Sequence, residues 1–163
     1  MKRLLIISDI HYPTRTKDSS LIKHLENLIK ENDITIGCGD YVSDNIVALI
    51  ETLSKNSYLV KGNMDFFERN LPEKLYIEIE NLKIGIIHGS GSPLGIEGRI
   101  IRRFDTKPNI IFFGHTHIKE NKNIDGISII NPGAFCDGSY CICEIDGDKI
   151  DVKFIKTSLK KLS

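Results

Sequence analysis

The stretch that most constrains this chain is a short apolar run followed at once by two histidines. Residues 109–113 are almost all branched or aromatic and stop abruptly at Gly114, which is typical of a buried strand. His115 and His117 follow, and residues two apart in an extended segment point the same way, so both imidazoles reach one small volume. Imidazole is a common ligand of transition metals. On this stretch alone, two solvated histidines in a turn explain the pattern equally well.

Four other apolar runs end in a similar way, usually with a glycine beside a polar side chain that can bind a metal. They cover residues 3–8, 34–38, 57–61 and 83–88, and each is predicted to be a strand. Together with the two histidines above, the polar side chains at these ends are Asp9, His11, Asp40, Asn63, His88, His115 and His117. Because loops at the carboxyl ends of parallel strands converge on one ligand site, we expect these side chains to lie close together.

The order of the predicted elements indicates the fold class. Apolar residues at helical spacing from Leu21 to Ile29 and from Ile46 to Leu53 place helices between the first three strands, which is typical of a parallel sheet with crossovers. The second half is different. It contains a hairpin around Asn81-Leu82, a helix near residues 96–104, and short strands joined by Asp-Gly turns. We therefore expect one α/β domain over residues 1–163, with two packed mixed β-sheets flanked by helices.

Core packing does not explain polar groups at five strand ends. A buried carboxylate is costly unless a cation accompanies it, and no Lys or Arg directly follows these strands in the ligand motifs. Metal ions would supply the positive charge. Seven donors exceed the needs of one tetrahedral ion, so we predict two divalent ions that share Asp40. The first ion is assigned to Asp9, His11, Asp40 and His117, and the second to Asp40, Asn63, His88 and His115.

The donor types narrow the choice of metal. Mixed imidazole and oxygen ligands suit Mn, Fe, Co, Ni or Zn better than Mg²⁺ or Ca²⁺, which prefer oxygen alone. The predicted cofactors are therefore two divalent transition-metal ions whose identity stays open.

Taken together, the strand ends form an ordered series of short motifs. Asp-x-His at residues 9–11, Gly-Asp at 39–40, Gly-Asn-x-Asp at 62–65, His-Gly at 88–89 and Gly-His-Thr-His at 114–117 follow one another in the chain. The series resembles that of the calcineurin-like metallophosphoesterase superfamily, and the Asn131-Pro132-Gly133 turn is similar to a later family feature. The small size resembles the compact phosphodiesterase branch that also includes the retromer scaffold subunit.

The resemblance implies a four-layer α/β/β/α sandwich, the two-ion assignment above, and hydrolysis of a small phosphodiester. A hydroxide that bridges two ions about 3.5–4 Å apart would attack the phosphorus in line with the leaving oxygen. Asp40, Asn63 and His115 are the residues expected to take part in catalysis.

One position departs from the family pattern. Many members carry a histidine directly after Gly-Asn, where it helps to protonate the leaving alkoxide, and this chain has Met64 there. A thioether cannot act as a general acid, and loss of such an acid typically costs about 10²–10⁴ in rate. We therefore expect activity on aryl phosphodiesters and much less on alkyl monoesters. Asp65 is either a substitute acid acting through water or a helix cap.

Composition limits the partners and the location. The 22 basic and 22 acidic residues cancel, so no overall field favours nucleic acid larger than nucleotides, or anionic lipid. No apolar segment approaches the length needed to span a membrane, and the first residues do not form a signal peptide, so a cytoplasmic protein is expected. The four cysteines, none in a C-x-x-C pair, are expected to be reduced and mostly buried. Apolar surface is compatible with a homodimer.

Two other functions stay open at this point. The same fold serves as a non-enzymatic scaffold in the retromer subunit, although that branch departs from the full ligand set and this chain fills every ligand position. A phosphomonoesterase or phosphoprotein phosphatase ranks lower, because the chain has no long insertions around the site to build a protein-recognition groove.

Overall fold

A computed structural model describes residues 1–161 of the chain. In this part of the chain there are ten β-strands and three α-helices. The strands are β1 Lys2–Ile7, β2 Ile34–Gly37, β3 Ser57–Leu59, β4 Lys74–Ile79, β5 Leu82–Ile87, β6 Ile110–Phe112, β7 Glu120–Ile124, β8 Ile127–Asn131, β9 Ser139–Asp146 and β10 Lys149–Lys156. The helices are α1 Ser19–Glu31, α2 Asp44–Leu53 and α3 Ile96–Ile101.

The strands form two mixed sheets of five strands each. The first sheet has the order β10-β9-β1-β2-β3, and the second has the order β4-β5-β6-β8-β7. In the first sheet β1, β2 and β3 are parallel, while β9 and β10 are antiparallel additions at one edge. In the second sheet β5, β6 and β8 are parallel, and β4 and β7 flank them in antiparallel pairing. The predicted mixed strand directions are confirmed.

Three apolar clusters hold the layers together. Residues of both sheets, such as Ile6 and Ile36 of the first and Ile84 and Phe112 of the second, share one buried core. The opposite face of the first sheet packs against α1 and α2, and that of the second sheet packs against α3. The alternation of side chains along each strand explains this arrangement, since neighbouring residues such as Leu5 and Ile6 enter different cores. The predicted α/β/β/α layering is confirmed.

The first two helices begin where short polar side chains can accept free backbone N–H groups. Asp18 caps α1 by accepting the N–H of Ser20, and Ser43 caps α2 by accepting the N–H of Asn45. The third helix ends at Ile101, earlier than the expected residue 104. The hairpin turn lies at Glu80 and Asn81 rather than at Asn81 and Leu82, because Leu82 is buried and pairs with Ile79.

Two further expectations can be compared with the structure. All four cysteines are free and buried, as expected for reduced thiols. Among the described residues, no helix is both long and apolar enough to cross a membrane.

Candidate metal centre

The seven predicted ligands converge at one edge of the molecule, where the parallel strands of both sheets end. Asp9 and His11 follow β1, Asp40 follows β2, and Asn63 follows β3. From the second sheet, His88 follows β5, and His115 and His117 follow β6. This is the edge at which loops of open α/β sheets converge on a ligand. The site therefore lies across the seam between the two sheets.

On one side of the site, the imidazoles of His11 and His117 lie close to the carboxylates of Asp9 and Asp40. Nε2 of His11 lies 3.6 Å from Oδ1 of Asp9 and 3.4 Å from Oδ2 of Asp40. Nε2 of His117 lies 3.4 Å from the same Oδ1 of Asp9. The His11 and His117 rings have centroids 5.2 Å apart. These are the four residues assigned from the sequence to the first ion.

The other side of the site gathers the remaining donors around Asp40. Nε2 of His88 lies 3.2 Å from Oδ2 of Asp40 and 2.9 Å from Oδ1 of Asn63. Nδ1 of His115 lies 3.3 Å from the same Asn63 oxygen, and its Nε2 lies 2.8 Å from the carbonyl oxygen of Gly91. A single oxygen, Oδ2 of Asp40, thus faces both halves of the site.

The distances between carboxylate and imidazole atoms fit metal ligation better than direct hydrogen bonding. Two ligand atoms of a tetrahedral ion with bonds of about 2.1 Å lie about 3.4 Å apart, and the carboxylate-to-imidazole distances here run from 3.2 to 3.6 Å. Oδ1 of Asp9 and Nε2 of His11 are buried and have no hydrogen-bond partner. Buried polar atoms without partners are costly, and a cation between them would satisfy both.

The rest of the chain holds these donors in a fixed orientation. Oδ2 of Asp9 accepts the hydroxyl of Ser8 at 2.8 Å and the N–H of His115 at 3.2 Å, so only Oδ1 faces the imidazoles. Oδ1 of Asp40 accepts the N–H of Met64 at 2.9 Å, which leaves Oδ2 free to be shared. Two of these three donors are backbone N–H groups, which have no sequence signal, so the contacts could not be predicted from the sequence.

The orientation of His88 also fixes its tautomer. Its Nδ1 lies 2.6 Å from the carbonyl oxygen of Cys38, which can only accept, so Nδ1 carries the proton. The lone pair on Nε2 then faces Asp40 and Asn63. Metal-bound histidines commonly donate their second ring nitrogen in this way.

The ligand loops adopt a backbone that the sequence did not predict. Residues two apart in an extended strand were expected to bring His115 and His117 together, but both have left-handed φ angles, 70° and 64°. Left-handed φ angles of 47–61° also occur at Asp9, His11 and Asp40. The two histidines consequently face different halves of the site, one near Asn63 and the other near Asp9. The extended geometry expected for this pair is therefore wrong, although both residues lie at the same edge of the molecule.

Asp65 acts neither as a helix cap nor as an available acid. It is buried, and its two carboxylate oxygens accept backbone N–H groups of Asp40 at 3.0 Å, Val42 at 2.8 Å and Gly62 at 2.8 Å. These bonds tie the loop after β2 to the loop after β3. Asp65 therefore positions Asp40, and this role could not be read from its place after the Gly-Asn motif.

The Asn131-Pro132-Gly133 turn also supports the site. The amide nitrogen of Asn131 donates to the carbonyl oxygen of Gly114 at 3.0 Å and to the Thr116 hydroxyl at 3.1 Å. Its side-chain oxygen accepts the N–H of Gly133 at 2.9 Å. Asn131 thus braces the loop that carries His115 and His117.

The electrostatics of the site favour a cation. Burial raises the pKa of Asp9, but His11, His117 and His88 together with Ser8 outweigh it and hold that pKa well below its usual range. Burial lowers the pKa of His88, yet the neighbouring carboxylates raise it overall. Within residues 1–161, no Lys or Arg forms an ion pair with Asp9 or Asp40. The two ionised carboxylates therefore lack a permanent positive partner from the protein.

A cavity of about 320 Å³ opens over these donors. His11, Asp40, Asn63, His115 and His117 line it together with Thr14, Met64 and Arg15. Arg15 is its only Lys or Arg side chain, and it was not singled out from the sequence. Met64 is 40% exposed at the mouth of this cavity.

Comparison with known proteins matches both the fold and the motifs. Residues 1–148 match the model of the calcineurin-like phosphoesterase superfamily domain. A probable metallophosphoesterase of Methanothermobacter thermautotrophicus is 28% identical over 159 residues, which cover 93% of this chain and 91% of that protein. A phosphodiesterase of Methanocaldococcus jannaschii is 28% identical over 137 residues, covering 69% of this chain and 78% of that protein.

Solved structures share the same architecture. The solution structure of a Thermotoga maritima protein is 38% identical, with a TM-score of 0.79, and the match covers 96% of this chain and all of that one. The Vacuolar Protein Sorting 29 structure from Cryptosporidium parvum is 22% identical, with a TM-score of 0.73, and covers 96% of this chain and 98% of that one. The second likeness shows the fold alone. With a family model that spans nine-tenths of its length, the chain belongs to the calcineurin-like phosphoesterase superfamily.

Proposed function

We propose that this protein is a phosphodiesterase that uses two divalent metal ions. The observation that carries the proposal is the single Asp40 oxygen that faces both His11, at 3.4 Å, and His88, at 3.2 Å. A carboxylate oxygen between two imidazole groups is the arrangement needed to bridge two ions. The first ion would be held by Asp9, His11, Asp40 and His117, and the second by Asp40, Asn63, His88 and His115.

The donor set suits Mn, Fe, Co, Ni or Zn, because it mixes nitrogen and oxygen atoms. When bound, two such ions supply an activated water and positive charge for the phosphate oxygens. Asn63 contributes a neutral oxygen at a position where a third carboxylate would cancel more of that charge. The site would therefore keep a net positive charge suited to a phosphodiester anion.

The protein residues supply orientation. The N–H of Met64 and the carbonyl oxygen of Cys38 fix Asp40 and His88, so these donors need little reorganisation when a metal or substrate enters. Arg15, at the mouth of the cavity, carries a guanidinium that would bind a phosphate oxygen of the substrate. The Arg15 guanidinium thus acts on the charge of the phosphate, whereas the other two groups hold metal ligands in place.

The residues of the site limit which leaving groups it can release. Met64 lines the cavity where family members often carry a general acid, and both oxygens of Asp65 are engaged by backbone N–H groups. No side chain at this position can then protonate a poor leaving oxygen. Aryl phosphodiesters are the preferred model substrates on this argument, and alkyl monoesters are poor ones.

The test compares the wild-type protein with Asp40→Ala in bis(p-nitrophenyl) phosphate hydrolysis, with and without Mn²⁺ or Ni²⁺, alongside metal analysis. The wild type should bind up to two ions and show metal-stimulated hydrolysis, and Asp40→Ala should lose both properties. Asp44→Ala is the matched control, because Asp44 is an exposed carboxylate that pairs with Arg69 and does not line the site.

Equal activity in Asp40→Ala and the wild type would show that Asp40 does not bridge two ions. A wild-type protein that binds no divalent ion and has no metal-stimulated activity would instead favour the scaffold function known for this fold from the retromer subunit.

A further inference from the structure

A second groove, of about 260 Å³, adjoins the metal centre on the side of His117. His117 lines both this groove and the cavity over the metal donors, so one imidazole ring is their common wall. The groove is lined by Lys119 and Lys156 and by the hydroxyl-bearing Ser139, and none of the described residues that line it is Asp or Glu. We refer to it as the lysine groove.

The two lysines lack acidic partners. Nζ of Lys119 lies 5.4 Å from the centroid of the Phe154 ring, which also lines the groove. Within residues 1–161, neither Lys119 nor Lys156 forms an ion pair, whereas Lys122, Arg69 and Arg103 each pair with a carboxylate. Among the described residues that line the groove, these two ammonium groups are the side chains with a permanent charge, and the nearby Asp137, whose carboxylate lies within 4.8 Å of a His117 ring nitrogen, does not line it.

The size of the groove indicates what fraction of a ligand it can hold. Pockets for small molecules are typically about 300–1,000 Å³, so a groove of about 260 Å³ fits one substituent of a ligand. The cavity over the metal donors would hold the reacting phosphodiester itself. A substrate that reaches past His117 would therefore place its second group in the lysine groove.

We propose that the lysine groove binds a second phosphate group of the substrate, so that the preferred substrates are phosphodiesters that carry a further phosphate. This inference rests on the proposed phosphodiesterase function and adds the substrate class. Lysine ammonium groups attract a phosphate dianion as point charges. The Lys119 ammonium lies over the Phe154 ring, and this cation–π contact keeps the charge beside the groove wall that Phe154 forms.

The test uses two substrates with the same aryl leaving group. They are thymidine 5′-(p-nitrophenyl phosphate) and its 3′-phosphorylated derivative. In the wild type, the derivative should have a KM lower by roughly fivefold, the effect of two partly exposed charge pairs. In the double variant Lys119→Ala/Lys156→Ala, the ratio of the two KM values should fall to about one, and raising the salt concentration should shrink the wild-type ratio as well.

The control variant is Lys149→Ala/Lys153→Ala. These two lysines lie on the same strand as Lys156, are exposed and do not line the groove. The control should keep the wild-type KM ratio. An equal loss of the ratio in both double variants would attribute the preference to general surface charge and overturn the proposal, as would a wild-type ratio of one.

A binding measurement separates this inference from the proposed function. Calorimetry on the metal-free protein would compare thymidine 3′,5′-bisphosphate with thymidine 5′-monophosphate. Tighter binding of the bisphosphate that depends on Lys119 and Lys156 supports the groove even if neither aryl ester is hydrolysed, in which case only the proposed function fails. Hydrolysis of both esters together with bisphosphate binding that is indifferent to the two lysines overturns the groove and leaves the phosphodiesterase intact.

Discussion

Removing the Asp65 carboxylate should destabilise the whole protein and not only its metal site. Asp65 is 1% exposed, and it accepts three backbone N–H groups from the loops after β2 and β3. Asp65→Ala leaves these three donors without an acceptor in a buried region. Each such donor costs about 1–3 kcal/mol, and because water and local relaxation recover part of this, we expect a loss of about 3–5 kcal/mol in the free energy of unfolding.

The Asp65→Asn variant sharpens the argument. Oδ2 of Asp65 accepts from Asp40 and Gly62, and Oδ1 accepts from Val42. An asparagine that keeps its oxygen at the Oδ2 position retains two of the three bonds and loses the one to Val42. Burial and the nearby Asp40 also raise the pKa of Asp65 despite these donors, so removing the charge itself is not a large loss. We therefore expect Asp65→Asn to cost about 1–2 kcal/mol.

Urea denaturation followed by circular dichroism measures these differences, with equal m-values as the check that the unfolding transition is unchanged. Asp44→Ala is again the control, since its exposed ion pair with Arg69 should contribute at most about 1 kcal/mol. The reasoning is refuted if Asp65→Ala is no more destabilising than this control, or if Asp65→Asn costs as much as Asp65→Ala.

Three further predictions concern the site and the thiols. Gly114→Ala would press a Cβ against the Ser8 hydroxyl and within 2.9 Å of Oδ2 of Asp9, so metal affinity measured by calorimetry should fall about 10–100-fold. The control is Gly98→Ala, within α3, where a Cβ would face only the flexible end of Arg102, and this change should leave the metal affinity unchanged. Met64→His should raise kcat on thymidylyl-thymidine by about 10²-fold or more relative to kcat on bis(p-nitrophenyl) phosphate; an equal change on both substrates would show that the histidine does not protonate the leaving oxygen. Burial raises the pKa of Cys136 to about 11 and that of Cys141 to about 12, so iodoacetamide at pH 8 should label the unfolded chain and leave these two thiols of the folded protein almost unreacted.

The sequence predicted the layers and the positions of the strand ends well because both depend on residue type along the chain. Short continuous apolar runs identify β1 and β2, and apolar residues at helical spacing identify α1 and α2. Each of the two strand runs stops where a polar donor begins. Hydrophobic burial sets this pattern, so the pattern can be recognised in the sequence without knowledge of the tertiary contacts. The strand ends were therefore predicted to within one or two residues.

The residues that support the ligands could not be predicted in the same way. Asp65 acts on Asp40, 25 positions away in the chain, and Asn131 acts on Gly114, 17 positions away, whereas Ser8 supports the adjacent Asp9 through its hydroxyl. A carboxylate after a Gly-Asn turn has no local feature that distinguishes a loop tie from a helix cap. Only the packing of the loop after β2 against the loop after β3 decides between them.

The left-handed backbone at five ligand positions follows from where the site lies. These five residues follow β1, β2 and β6, where a left-handed φ turns the chain sharply at the sheet edge, whereas Asn63 and His88 reach the site without one. For a residue other than glycine this conformation costs about 1–3 kcal/mol, so the neighbouring structure must enforce it. The N–H of Asp9 donates to Gly39 at 3.0 Å and that of His11 to Asp40 at 3.0 Å, which ties the first ligand loop to the second. The backbone at Asp9 and His11 is thus held by the loop that carries Asp40, which keeps the donors that follow β1 and β2 together.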